Sequence, residues 1–262
     1  MDSFVDERDY KLLENDKYTF FVLGRVMGGN CKLLLTDHEK LILCFTSNPY
    51  PVWIWTEDGA DKTEMERAYL LADKHLLLDG GHRFNLKYDL ANYFIERAAK
   101  DNKKLSVSTN MYAYDCHKLT EPTKADGSIH RCDSGDINEL TDFFDLFHKE
   151  TGVDQNDRDS YRLQAEESIN DGKTFFWKDS HGNNVACCKF VPNGTMASIN
   201  LVFTRPEFRR KHYAENLVYQ VTKLIMDAGY TPMLYTDADY EASNACYMKI
   251  GYILKGKLCT IG

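Results

Sequence analysis

A run of basic residues stands directly before a helical pattern in the C-terminal half of the sequence. It comprises Arg205, Arg209, Arg210, Lys211 and His212. Positive charge at a helix N-terminus opposes the macrodipole, which favours carboxylates there by ~0.3–1 kcal/mol each. The unpaired backbone N–H groups of a helix N-terminus bind anions. The pattern therefore indicates an anion site, although a solvated basic loop has the same composition.

The absence of two glycine motifs argues against the two commonest kinds of phosphate-binding loop. The pattern G-x-x-x-x-G-K-[ST] is absent, which excludes a P-loop, and the absence of G-x-G-x-x-G argues against a dinucleotide site. The doublets Gly28-Gly29 and Gly80-Gly81 fit turns better than phosphate-binding loops because neither completes a glycine motif.

The segment VFTRPEFRRKHYAENLV, residues 202–218, resembles the acetyl-CoA signature of the GNAT superfamily of N-acetyltransferases. That signature is a strand followed by [Q/R]-x-x-G-x-[G/A], which opens a helix and corresponds here to residues 209–214. Ala214 matches the second small position, whereas His212 stands where the family has its first glycine. Histidine is enriched at positive φ, so it is compatible with the tight turn.

A second block, SNACYMKIGY at residues 243–252, resembles the closing segment of the same family, S-N-x-x-Y-x-K-x-G-[FY]. The family's tyrosine falls on Tyr247. Many relatives carry an asparagine seven positions earlier, and this sequence departs from them with Tyr240. The resemblance covers residues 128–262, and the N-terminal part more loosely resembles the accessory, degenerate half of two-domain members.

This resemblance implies an acetyl-CoA-dependent N-acetyltransferase that transfers acetyl directly to an amine in a ternary complex, without a metal. The implied cofactor-binding residues are Val202, Phe203, Thr204, Arg209, Arg210, Lys211, His212, Tyr213, Ala214 and Asn244. The backbone N–H of Val202 would polarise the thioester carbonyl. Tyr247 would protonate the departing thiolate, which suits a phenol that keeps its proton at neutral pH.

Each implied role has a structural alternative. Tyr247 would equally pack in the core of a short helix, Asn244 would cap that helix, and Thr204 would simply end a strand. The alternative function is a non-catalytic acyl-CoA-binding or regulatory module, because His212 departs from the signature and no general base is assigned. Asp237 and Asp239 are candidates for that base but also fit a turn. Glu207 lies in the phosphate loop, which is a poor position for a base.

Secondary-structure patterns place these residues on a recognisable scaffold. The C-terminal half predicts strands at 129–132, 174–177, 185–191, 196–204, 233–236 and 252–260, and helices at 136–148, 159–170, 213–228 and 244–250. This order predicts an α+β (mixed α/β) fold. It is a GNAT-like, twisted, mostly antiparallel sheet with one central parallel βαβ unit.

The N-terminal part predicts a smaller mixed α/β domain without a catalytic constellation. Its predicted strands are 41–46, 52–56 and 105–116, and its predicted helices are 64–77 and 86–99. The polar segment TEPTKADGS at 120–128 is typical of a linker, which predicts domains at 1–122 and 123–262. The family resemblance places the amine acceptor within 133–172.

Composition limits the classes of partner. The chain has 262 residues, of which 43% are hydrophobic, so it can bury a core. The first residues lack a signal-peptide pattern and no long apolar run is present, so a cytoplasmic location is expected. The net charge of −8 disfavours nucleic acid and anionic membranes as partners, leaving a small-molecule or peptide amine. The oligomeric state stays open.

The eight cysteines are expected to be reduced and buried. None of them has zinc-finger spacing, and the pairs Cys116/His117 and His130/Cys132 lack a recognisable second half of a metal site. Cys187 and Cys188 are adjacent on a predicted strand, so their side chains should point to opposite faces.

Overall fold

The structure, a computed structural model, describes residues 1–75, 77–152 and 156–262. Its helices are α1 (Glu7–Leu12), α2 (Phe21–Val26), α3 (Lys62–Lys74), α4 (Tyr88–Lys100), α5 (Ile137–Thr151), α6 (Arg158–Asn170), α7 (Tyr213–Asp227) and α8 (Glu241–Lys249). Its strands are β1 (Leu33–Thr36), β2 (Leu41–Phe45), β3 (Val52–Thr56), β4 (Phe84–Leu86), β5 (Val107–Asp115), β6 (Ser128–Arg131), β7 (Thr174–Lys178), β8 (Asn184–Asn193), β9 (Met196–Thr204), β10 (Thr231–Asp237) and β11 (Ile253–Ile261).

The chain forms two compact units. Unit 1 consists of Met1–Ala113, Thr236–Tyr240 and Leu254–Gly262. Its strands follow the order β1-β2-β3-β4-β11-β5, in which β1, β2 and β3 pair antiparallel and β3 pairs parallel with β4 through α3. Strand β11, the last strand of the chain, pairs antiparallel with β4 and therefore completes the sheet of unit 1.

Unit 2 consists of Tyr114–Tyr235 and Glu241–Ile253. Its strands follow the order β10-β9-β8-β7-β6, and β6 to β9 are antiparallel neighbours. Strand β9 pairs parallel with β10, and α7 joins the two strands. This crossover is the parallel βαβ unit that the sequence predicts, so the predicted fold class is confirmed.

Both faces of the unit 2 sheet are covered by helices. On one face, Leu140 and Phe143 of α5 pack with Phe176, Cys187 and Phe203 of the strands. Cys187 and Cys188 are both fully buried, and strand alternation directs Cys188 to the other face. Helix α7 buries its apolar stripe, which is Leu217, Val218, Val221 and Ile225. Burial of both faces explains why β8 lacks a polar alternation.

The predicted elements match the structure best around the basic run. Strand β9 has the predicted bounds, and α7 begins at the predicted residue. The helix predicted over 64–77 corresponds to α3, and its position 76 lies outside the described residues. The helix predicted over 86–99 begins too early, because Leu86 ends β4. Elements α1, α2 and β1 are not predicted, since their short segments lack a sustained apolar period.

The two units are not two contiguous stretches of chain. Residues 120–128, which the sequence predicts as a linker, lie inside unit 2, and the C-terminal strand lies in unit 1. The boundary at 122/123 stays a prediction about domains. Among the described residues, no helix combines the length and the apolar character that crossing a bilayer requires.

The place of β11 in unit 1 is testable by substitution. Ile261 is fully buried in the core of that unit, whereas Ile253 at the start of the same strand is 58% exposed. We expect Ile261→Ala to lower the free energy of unfolding by about 2–4 kcal/mol, because it removes buried methyl groups and leaves a cavity. Ile253→Ala should change it by less than about 0.5 kcal/mol. Denaturant unfolding measures both, and equal losses would contradict this assignment.

Candidate functional site

Strand β9 changes its pairing before it reaches the basic loop. Its parallel register with β10 ends at Leu234↔Ile199, whereas β9 continues to Thr204. Against β8, the register shifts between Cys187 and Lys189, and Leu201 adopts a φ of 56°. A β-bulge with a left-handed residue twists and bends the strand. The C-terminal end of β9 is thus the end at which the strand leaves the regular ladder.

The loop after β9 turns into α7 through two left-handed residues. Arg210 has a φ of 61° and His212 a φ of 63°, a region that non-glycine residues rarely occupy. His212 is the N-cap residue of α7, at the position where the signature has glycine. The histidine therefore adopts the conformation that glycine adopts most readily.

Helix α7 begins without a side-chain cap. In the described chain, the backbone N–H groups of residues 210–215 donate to no protein acceptor, and the first helical bond runs from Asn216 N to His212 O at 3.1 Å. Six adjacent donors are thus available at the end of a long helix. Such a set of N–H groups, at the positive end of the helix dipole, is suited to binding an anion.

Only part of the basic run is free to add charge to this site. Arg205 contacts Glu139 at 2.7 Å and stacks over Phe143, while Arg209 Nη2 donates to both carboxylate oxygens of Glu150. Arg210 and Lys211 are exposed and have no carboxylate partner among the described residues. Of the four arginine and lysine side chains in the basic run, two are thus already neutralised by glutamates.

The three strand residues that precede the loop differ in what their side chains do. Phe203 is buried against the rings of Phe143 and Phe147, so only its backbone faces the loop end of the sheet. Val202 is half-buried. Thr204 accepts from Arg209 Nε through its carbonyl at 3.1 Å. The hydroxyl oxygen of Thr204 is buried and has no partner within the described chain, so it is an unsatisfied polar atom at this end of β9.

Helix α8 carries the second set of predicted residues. Asn244 and Tyr247 are three positions apart, so they share one helix face, and both are buried. Asn244 Oδ1 accepts from the Tyr114 hydroxyl at 3.2 Å. The ring of Tyr247 meets the ring of Tyr252 edge-on at 6.1 Å, and the Tyr252 hydroxyl lies 2.7 Å from Thr222 Oγ1 on α7. The α8 face is therefore fixed by polar and aromatic contacts within unit 2.

Residues 120–128 hold the start of α7 in place. Asp126 accepts from the Tyr213 hydroxyl at 2.8 Å and from Ser180 N at 2.9 Å. Asn216 Nδ2 donates to Thr123 O at 2.8 Å. Hydrogen bonds from the Ser180 N–H, then from the Ser180 side chain and the Tyr213 hydroxyl, lower the pKa of Asp126 to about 2. Burial together with Asp126 raises the pKa of Tyr213 to about 12. The Tyr213 side chain is thereby committed to the fold, and only its backbone N–H is available to a ligand.

Glu215 is a site residue that the sequence analysis missed. Its side chain is 11% exposed, and its carboxylate lies 2.9 Å from His212 Nδ1 and 3.2 Å from Lys249 Nζ. The signal that could have identified it is its place three residues after the N-cap, where a glutamate commonly caps the helix.

Unit 1 contains the same strand–helix–strand connection as unit 2, but the N-terminus of its helix is capped by side chains. There, β3, α3 and β4 form a parallel βαβ unit. The Asp61 side chain caps α3, and the Glu64 carboxylate accepts from the Asp61 N–H. Lys87, directly after β4, contacts Thr56 O at the end of β3 as well as Asp16 and Asp58. Acidic side chains and an ion-paired lysine thus fill the region that stays open in unit 2.

The candidate bases and metal ligands have structural roles. Asp237 Oδ1 accepts from Asp239 N at 2.9 Å, the bond of a turn. His130 Nε2 lies 2.7 Å from Asp136 Oδ2, which also accepts from Asp133 N in a capping box. A second group of possible metal ligands in unit 1, Asp6, Asp9 and His38, is likewise joined by hydrogen bonds. These bonds account for both groups without an ion.

Comparison with known proteins bears on the family and the fold of the chain. Residues 181–260 match the family model described as FR47-like protein, which is GNAT-related. No curated protein matches the chain in sequence.

Solved structures resemble the chain over almost its full length. A GCN5-related N-acetyltransferase from Sphaerobacter thermophilus has a TM-score of 0.67 at 10% identity, covering 97% of this chain and 90% of that one. A GNAT-family acetyltransferase from Colwellia psychrerythraea has a TM-score of 0.62 at 12% identity, with 99% and 97% covered. One from Kribbella flavida, also GCN5-related, has a TM-score of 0.63 at 14% identity, with 95% and 94% covered. At these identities the likeness shows the fold.

The Asp126 contacts predict an acid-dependent stability. Because the folded-state pKa of Asp126 is lowered from 3.8 to about 2, its stabilising contribution is present above about pH 4 and is lost as the pH falls towards 2. We expect Asp126→Asn to lower the melting temperature at pH 7. Between pH 4 and pH 2, the melting temperature of the variant should fall less than that of the unmodified chain. Thermal unfolding monitored by circular dichroism measures both, and parallel pH profiles for the two proteins would contradict this role.

Proposed function

We propose that this chain is an acetyl-CoA-dependent N-acetyltransferase of the GNAT superfamily, a proposal that its fold and the FR47-like match over residues 181–260 support. The observation that carries the proposal is the uncapped start of α7, where the N–H groups of residues 210–215 have no acceptor within the described chain. A phosphate-bearing ligand satisfies those donors without displacing any protein group.

The binding roles follow from what each residue has available. The N–H groups of residues 210–214 bind the pyrophosphate of the cofactor, and the exposed Arg210 and Lys211 add positive charge. Arg209 keeps its pairing with Glu150 and orients the loop through Thr204 O. Asn244 and the unsatisfied Thr204 hydroxyl are the remaining polar groups that fit the cofactor.

The chemical step needs two groups from the chain. The bound cofactor supplies an activated acetyl thioester. The Val202 N–H, next to the β9 bulge, donates to the carbonyl oxygen as negative charge develops there. The Tyr247 hydroxyl holds the proton that the departing sulfur requires.

The acceptor is an amine that attacks directly, because the resemblance implies direct transfer in a ternary complex. Asp237 and Asp239 are engaged in a turn, so no base is assigned. A neutral amine forms the C–N bond, the C–S bond breaks, and the proton lost by the amine nitrogen restores the Tyr247 phenol. The acceptor is a small-molecule or peptide amine that binds within residues 133–172, of which positions 153–155 lie outside the described residues.

Release of free thiol tests the proposed function. The protein is incubated with acetyl-CoA and a panel of small amines, polyamines and peptides. Turnover with any of them supports the enzyme. Binding of CoA without turnover would instead indicate an acyl-CoA-binding module, and no affinity at millimolar CoA would overturn both readings.

The charges in the loop predict a difference between two arginines. Arg210→Ala should raise the dissociation constant of acetyl-CoA about fivefold, because Arg210 is exposed and has no carboxylate partner in the part of the chain that is described, so its charge is available to phosphate. Arg205→Ala is the matched control. It removes an arginine that Glu139 already neutralises, so it should change affinity by less than about twofold while lowering stability. Isothermal titration calorimetry measures both, and the reverse order would contradict the charge assignment.

The role of Tyr247 predicts a loss of rate without a loss of binding. Tyr247→Phe keeps the ring packed against Tyr252 and removes only the proton donor, so kcat should fall roughly a hundredfold with KM for acetyl-CoA unchanged. Tyr252→Phe is the control, because it removes a neighbouring hydroxyl that bonds Thr222. A similar loss of kcat in both variants would mean that packing, not proton transfer, is responsible.

A further inference from the structure

Three N-terminal turns of this chain share one hydrogen-bonding arrangement, whereas α2 and α4 have no side-chain cap. Asp6 and Asp9 at α1, Asp61 and Glu64 at α3, and Asp133 and Asp136 before α5 each form a reciprocal capping box. In each, the carboxylate three residues after the N-cap accepts from the N-cap N–H. Helix α7 also carries a carboxylate at that position, Glu215, yet α7 has no side-chain cap.

Glu215 bonds two side chains, one of them that of the N-cap residue His212. One carboxylate oxygen lies 2.9 Å from His212 Nδ1 and the other lies 3.2 Å from Lys249 Nζ. Because a carboxylate can only accept, the Nδ1 atom carries the proton in this contact. In the described chain neither oxygen accepts from a backbone N–H, so the usual capping bond is replaced by two side-chain bonds.

We propose that His212 and Lys249 hold Glu215 in this position and thereby keep the N-terminus of α7 open to an anion. This inference rests on the proposed function, because the anion is the pyrophosphate of the cofactor. Glu215 is a positioning residue. The position of its carboxylate decides whether the N–H groups at the start of α7 bond the ligand or the glutamate. His212 stands where the signature has glycine. It adopts the left-handed backbone conformation of the turn, and its side chain also restrains Glu215.

The restraint has a consequence that the signature alone does not predict. Glycine at position 212 relieves the left-handed backbone, so the simple expectation is tighter binding of the cofactor. Without the imidazole, however, Glu215 can form the reciprocal bond to the N–H of residue 212. That bond occupies one donor and brings a negative charge to the site where the phosphate binds.

The test compares His212→Gly, Glu215→Ala and the double variant in the full-length protein. His212→Gly should bind CoA about tenfold more weakly than the unmodified chain. The double variant should return to within about twofold of Glu215→Ala, because no carboxylate remains to close the helix end. Lys249→Met should weaken binding in the same direction as His212→Gly. Calorimetry with CoA gives the dissociation constants, and thermal unfolding checks that each variant is folded.

Amide hydrogen exchange at residues 210–215 provides a readout that needs no ligand. In His212→Gly the amide of residue 212 should exchange more slowly than in the unmodified chain, and in the double variant it should exchange fast again. Unchanged or tighter CoA binding by His212→Gly, or a failure of Glu215→Ala to restore it, would overturn the inference. If the unmodified chain binds no CoA, the proposed function fails, and the exchange pattern alone decides whether His212 restrains Glu215.

Discussion

Six backbone N–H groups at the start of α7 have no acceptor within the described chain, and the side chains that contact this helix end leave them unbonded. Buried or half-buried donors at a helix end are costly unless something bonds them. Two carboxylates that contact the first turn of α7 are engaged elsewhere. Glu215 bonds His212 and Lys249, and Asp126 bonds Tyr213 and Ser180. The local hydrogen bonds therefore leave this helix end open while fixing its position.

The contrast between the two units shows that this openness does not come from the fold alone. Both units place a helix between two parallel strands, β3-α3-β4 in unit 1 and β9-α7-β10 in unit 2. In unit 1 the same helix end is closed by Asp61 and Glu64, and Lys87 is bound at the strand ends. Identical connectivity thus supports a closed end and an open one, and the residues of a single turn decide which forms.

The bounds predicted from the sequence agree best with the structure for the two elements on either side of the basic run. Strand β9 and helix α7 have strong periods and a clear turn between them, so their bounds could be predicted closely. Short segments such as β1 and β4 carry too few residues to show a period. The partners of Arg205 and Arg209 could not be predicted, because Glu139 and Glu150 lie far away in sequence and meet the loop only through the packing of α5. The site roles themselves stay predictions.

These ion pairs change how the basic run relates to the net charge of −8. With Arg205 and Arg209 neutralised, the charge available to a ligand comes from Arg210 and Lys211. Two exposed cations on an acidic protein are a weak attraction for a long polyanion, whose binding depends on many phosphate contacts. A single pyrophosphate needs only a few short hydrogen bonds, and the open end of α7 supplies them. Under the proposed function, selectivity for a small phosphate ligand therefore follows from directed N–H groups more than from charge.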